Sequence, residues 1–110
     1  FLVQSTSGII VNIGAMGALK AAASMGAYAA SQAGVFKFTE ALAEELKEKN
    51  ITVNAILPSI IDTPPNRADM PKANFDHWVK PEQIAGVIAF LLCDDARAIT
   101  GALIPVAGRV

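Results

Sequence analysis

The sequence predicts an α/β fold, a parallel sheet with helices on both faces, and three observations carry that prediction. Short β-branched or aliphatic runs at 8–15, 51–57 and 101–106 alternate with two longer helical patterns at 27–49 and 81–93, an order of strand, helix, strand, helix, strand. The strand runs are apolar without a polar alternation, as strands covered on both faces are. Each connection between successive strands is long enough to hold a crossover helix, so parallel pairing through right-handed crossovers is expected.

The elements follow in order. "GIIVNIGA" (8–15) is a buried strand that ends at glycine, and 14–26 holds three glycines among mostly small residues, a loop with close backbone approaches. From Ala27 to Lys49, Val35, Phe38, Leu42 and Leu46 recur at helical spacing, with Lys37, Glu44, Glu45 and Lys47 to Lys49 on the other side. Asn50, tolerant of left-handed dihedrals, is the expected stop. "ITVNAIL" (51–57) is the second strand, halted by Pro58. The stretch 58–80 carries Pro58, Pro64, Pro65 and Pro71 and is expected to be irregular; loops of that length are usually lids or binding segments. Pro81 and Glu82 open a second helix with Ile84, Val87, Ile88, Leu91 and Leu92 on its apolar side, and "GALIPV" (101–106) is the third strand.

Composition narrows the functions. With 110 residues, 53% of them hydrophobic, the chain has material for one packed domain. Nine Lys and Arg against ten Asp and Glu leave no basic block to neutralise phosphates, so nucleic acid is not an expected partner. The longest apolar runs are too short to span a bilayer, which takes about 20 residues, and no charged leader precedes a cleavable segment. The lone Cys93 reads as a small buried hydrophobe, which suits a reducing, cytoplasmic setting. His77 is the sole histidine and has no partners at metal-ligand spacing, so no metal is expected.

Residues 28–34, "YAASQAG", carry the chemistry. Tyr28 and Gln32 lie four apart and so share one helix face. A phenol is drawn toward neutrality only by a fixed positive charge nearby; glutamine hydrogen-bonds but is neutral. A strand ending "VNI", a loop of small residues, this tyrosine opening a helix, and then "VNAILP" with Thr63 beyond it resemble the short-chain dehydrogenase/reductase family. The resemblance runs along nearly all of the chain but covers only the C-terminal half of the family's fold, so 1–110 reads as an incomplete Rossmann-like domain with a substrate loop at about 58–80. The family's Gly-rich phosphate turn, its relay asparagine and its NAD-or-NADP selector fall outside this stretch.

What the resemblance implies is specific. Tyr28 is the general acid/base; Gln32 stands where the family has the lysine that tunes the tyrosine and holds the nicotinamide ribose. Ala15, thirteen residues before the tyrosine, stands where a serine is usual. Pro58, Ser59, Ile61 and Thr63 border the nicotinamide of NAD or NADP, with Ser59 at the usual glycine position. Met16, Ser24, Asn66 and Arg67 face the substrate. The loop 62–78, "DTPPNRADMPKANFDHW", is similar to that of the dihydropteridine reductase branch, which also has alanine at the Ala15 position. The implied function is NAD(P)H-dependent reduction of a small carbonyl or quinonoid substrate, impaired by Gln32 and, in these 110 residues alone, by the absent N-terminal half. The small-residue face of the 27–49 helix implies a homo-oligomer. The alternative is a noncatalytic module that keeps this helix as an interface and leaves the first strand at an open, aggregation-prone edge.

Overall fold

The computed structural model describes residues 8–19 and 23–110. Residues 1–7, expected from the resemblance to finish a preceding helix, lie outside the described residues, as do 20–22 of the first loop. Strand β1 (Gly8–Ile13), helix α1 (Gly26–Leu46), strand β2 (Ile51–Pro58), helices α2 (Pro64–Asp69) and α3 (Pro81–Leu91) and strand β3 (Leu103–Val106) follow in sequence order. The sheet is parallel with order β1-β2-β3, Gly8 lying opposite Ile51 and Pro58 opposite Val106.

All eight residues of the central strand β2 are buried, and its alternation distributes them between two layers. Ile51, Val53, Ala55 and Leu57 pack with Phe36 and Ala43 of α1. Ile56 packs on the other face with Leu91 of α3, Ala96, and Val11 and Ile104 of the flanking strands. Asn54, also buried, is fully engaged. Its amide nitrogen donates to the Ile99 carbonyl (2.9 Å) and its oxygen accepts from the Ala102 amide (3.0 Å).

The helices therefore cover opposite faces of a sheet whose strands advance in one direction. Two connections that advance alike but cross on opposite faces must have opposite hands, so the expectation of two right-handed crossovers fails for one of them. The excursion 59–80 gives the second connection the length to change faces.

Helix boundaries agree with the sequence reading to within a few residues. A 3₁₀ turn (Lys47–Lys49) closes α1, and Asn50 takes the left-handed conformation (φ 58°). The face of α1 differs. Phe36, Thr39 and Ala43 are buried, whereas Phe38, expected inside, is 61% exposed. The helix carries apolar residues around much of its circumference, so spacing alone does not select the inward stripe. Thr39 helps to select it: its hydroxyl accepts from the Asn12 amide (3.0 Å) across the layer and donates to the Val35 carbonyl (2.7 Å).

Cys93 also differs from expectation, being exposed, with its thiol donating to the Ala89 carbonyl (3.3 Å). Helix α3 ends at Leu91, and the turn that follows buries Ala96 in its stead. The stretch 58–80 is more ordered than expected, holding α2 and a 3₁₀ turn (Phe75–His77). No helix among the described residues is long and apolar enough to cross a membrane.

Candidate active site

Parallel strands deliver their carboxyl ends to one edge of the sheet, where open α/β folds bind ligands. Here that edge holds a cleft of about 490 Å³. One wall is the turn after β1. Gly14 donates its amide to the Ile56 carbonyl (2.9 Å), and a Cβ there would sit 2.8 Å from the Phe36 ring and 2.9 Å from Leu57. Only glycine lets the chain pass this close to the core, and the turn then presents Ala15, Met16 and Gly17 to the cleft.

Tyr28, in the first turn of α1, forms the facing wall and is 47% exposed. Among the described residues neither its hydroxyl nor the Gln32 amide makes a hydrogen bond. The floor is Pro58, Ser59 and Ile60 at the end of β2, with Val110 beyond β3 completing the lining. Ser59 is tied to the tail of β3, its amide donating to Val106 (3.2 Å) and its hydroxyl to the Ala107 carbonyl (2.7 Å). Of the two hydroxyls lining this cleft, only that of Tyr28 is uncommitted.

The structure thus brings Ala15, Met16, Tyr28, Pro58 and Ser59 together. Gln32 sits half-buried on α1, outside the cleft lining. Thr63 lines a second, separate cleft of about 430 Å³ with Asp62, Pro64, Arg67, Lys80, Pro81 and Glu82. Its hydroxyl caps α2, accepting from the Asn66 amide (3.4 Å). Asn66 is turned back onto the Ile61 carbonyl (2.8 Å), and Ile61 bridges to Val79. Ser24 is exposed in the left-handed region (φ 66°) and lines neither cleft. Ile60 and Val110 escaped the sequence reading: Ile60 is one more aliphatic residue in an apolar run, and Val110 reaches the cleft only through the pairing of β3. Among the described residues no cluster of His, Cys, Asp or Glu is able to hold a metal ion.

Charge gathers in the second cleft. Arg67 grips Asp62 with two hydrogen bonds, Nε to Oδ1 (2.6 Å) and Nη2 to Oδ2 (2.8 Å). Those bonds, with the charges of Arg67 and then Lys80, hold the Asp62 carboxyl below its ordinary value of 3.8. A depressed carboxylate contributes stability that is present above the unfolded-state value and is lost as pH falls through the folded one. The pair is therefore expected to persist unchanged through pH 5 and to open only below the ordinary carboxylate range. Carboxyl NMR of Asp62 across an acid titration checks this, and a midpoint above that range would contradict it.

The cleft and its tyrosine define the class: an α/β protein with an open cleft at the carboxyl edge of its sheet, beside a phenol. Comparison with known proteins narrows the class to a family. The family model described as enoyl-(acyl carrier protein) reductase matches residues 2–108. The 3-oxoacyl-[acyl-carrier-protein] reductase of Pseudomonas aeruginosa is 39% identical over 92% of this chain and 44% of its own length. A short-chain type dehydrogenase/reductase from Mycobacterium ulcerans superposes with a TM-score of 0.88 at 28% identity, covering 98% of this chain and 43% of that one. A 4-hydroxyisoleucine dehydrogenase complexed with NADH gives a TM-score of 0.77 at 34% identity, over 91% of this chain and 44% of that one. The chain belongs to the short-chain dehydrogenase/reductase family, and it spans about half the length of the curated relatives it matches.

These relatives do not support the dihydropteridine reductase branch suggested by 62–78; three curated ones, from Chlamydia trachomatis, Pseudomonas aeruginosa and Thermotoga maritima, are named 3-oxoacyl-[acyl-carrier-protein] reductases instead. The residues that prompted that expectation have local structural work: Thr63 caps α2, Arg67 pairs with Asp62, and Phe75 packs on Trp78. A loop that must fold back on itself needs such groups whatever it binds.

Proposed function

We propose that the protein of which this chain forms a part is an NAD(P)H-dependent reductase of small carbonyl compounds, with Tyr28 as the proton donor. One observation carries the reading: the uncommitted Tyr28 hydroxyl faces the apolar turn Ala15–Met16 across a cleft at the carboxyl ends of β1 and β2. The relatives named as 3-oxoacyl reductases favour a ketone over a quinonoid substrate, and none of the relatives described above points to a noncatalytic module.

The cleft suits the nicotinamide end of a dinucleotide, being a mostly apolar slot with a single free hydroxyl. A bound NADH or NADPH would supply the hydride. Tyr28 would place its Oη proton on the carbonyl oxygen as the carbonyl carbon becomes an alcohol carbon. Ala15, Met16, Pro58 and Ile60 would surround that exchange with apolar groups, and Ala15 adds no competing hydroxyl. Gln32, one helical turn along α1 from Tyr28, is neutral and leaves the phenol without a fixed cation on its own face.

Restoring that cation tests the assignment. A fixed cation beside a proton-transferring group is worth roughly 10- to 100-fold in rate, so Gln32→Lys in the full-length protein is expected to raise kcat for NADPH-dependent reduction of a 3-oxoacyl thioester by that factor. An unchanged rate would remove Gln32 from the site. We further propose that copies of the protein associate through α1, whose outward stripe of Ala27, Ser31, Gly34, Phe38 and Ala41 is exposed.

A further inference from the structure

We propose that Arg67 is a positioning residue, the clasp that holds the 62–78 excursion in one folded shape. The base of the excursion is closed by backbone pairing: the Asp62 amide donates to the Val79 carbonyl (2.7 Å) and the Val79 amide to the Ile60 carbonyl (3.0 Å). Ile60 lines the Tyr28 cleft, so the base of this loop is continuous with the cleft floor.

Above the base, α2 is only six residues long and carries no buried side chain. It has no core of its own to hold it. Asn66 ties it to the Ile61 carbonyl (2.8 Å), and Arg67 adds attachments in two further directions. The edge of its guanidinium takes both carboxylate oxygens of Asp62, a fork-to-fork geometry that fixes orientation as well as distance. Its face lies 4.5 Å from the Phe75 ring centroid, within cation–π range. Phe75 in turn packs at 4.8 Å, tilted by 55°, against Trp78, which is buried.

Asp62, Arg67, Phe75 and Trp78 thus form one continuous chain of contacts from the end of the strand region, through α2, to the core. Among the described residues, no other side-chain hydrogen bond, ion pair or ring contact joins α2 to the Phe75–His77 turn. Asp62 thus fixes one edge of the guanidinium and Phe75 one of its faces. Loss of the clasp releases α2 while the backbone pairing at the base survives.

The clasp stands without the reductase reading; only its effect on turnover rests on that reading. Amide hydrogen exchange of the full-length protein, read by peptide mass, tests the two apart. Arg67→Met keeps the aliphatic stem and removes the fork, and Asp62→Asn removes the anion. Both are expected to speed exchange in peptides covering 64–75 by at least roughly tenfold, with β2 peptides unchanged, as local opening requires. The double variant should be no faster than either alone. Arg67→Lys, which keeps the charge but not the fork, should recover only part of the protection.

In the reductase assay, KM for the ketone is expected to rise in both the Arg67→Met and the Asp62→Asn variants with kcat little altered, the pattern of weakened uniform binding by a loosened loop. Unchanged exchange at 64–75, or equal acceleration in β2, overturns the clasp. Accelerated exchange with KM unmoved overturns its positioning role. Absence of reductase activity in the parent protein counts against the proposed function and leaves the exchange result to decide the clasp.

Discussion

Tyr28→Phe in the full-length protein is expected to lower kcat by roughly 100- to 10,000-fold, the usual worth of a positioned acid, while leaving KM and thermal stability nearly unchanged. The separation follows from the surroundings of the side chain. Its ring is about half exposed and its hydroxyl holds no partner among the described residues, so removing one oxygen breaks no internal bond. No other group in the cleft is placed to replace it, because Ala15 has no hydroxyl and that of Ser59 is given to the Ala107 carbonyl. Stopped-flow oxidation of NADPH with a 3-oxoacyl thioester measures the effect. A loss of less than about tenfold, against the range expected of a general acid, would mean that the proton comes from elsewhere and that the cleft has been misread.

Asn54→Ala is expected to cost about 2 to 4 kcal/mol of folding stability, since it leaves two part-buried backbone groups without partners, each toward the lower end of the roughly 1 to 3 kcal/mol that an unsatisfied buried group costs. Asn54 is 1% exposed in the middle of β2. Its side chain binds the Ile99 carbonyl and the Ala102 amide, and the adjoining Ala102 carbonyl accepts from the Ala55 amide. The single residue therefore joins the central strand to the segment that leads into β3. Urea denaturation of the full-length protein gives the value. Asn54→Asp should fare no better, because a carboxylate would face the Ile99 carbonyl in a dry interior. A cost below about 1 kcal/mol, smaller than one unsatisfied buried group, would show that water or a local shift satisfies the freed groups.

The candidate site was legible where the chemistry is local. Tyr28 and Ala15 stand out as sequence neighbours of a strand end and a helix start, and the structure places both in one cleft with Met16, Pro58 and Ser59. Thr63 and Arg67 were not separable from that group by sequence, because their distance from Tyr28 depends on how the excursion folds. It folds around Asp62, Phe75 and Trp78, and so carries Thr63 and Arg67 into a second cleft.

The same division runs through the fold. By itself the sequence determined three strands and two long helices, the stop at Asn50 and the start at Pro81, since β-branched runs, left-handed tolerance and a fixed proline φ act within a few residues. Tertiary structure alone decided that Phe36 and not Phe38 turns inward, that Cys93 is exposed, and that Val110 reaches the cleft. Each of these outcomes is set by which distant surfaces close on one another. A periodicity that fits two faces equally well leaves that choice to the packing energy of the whole.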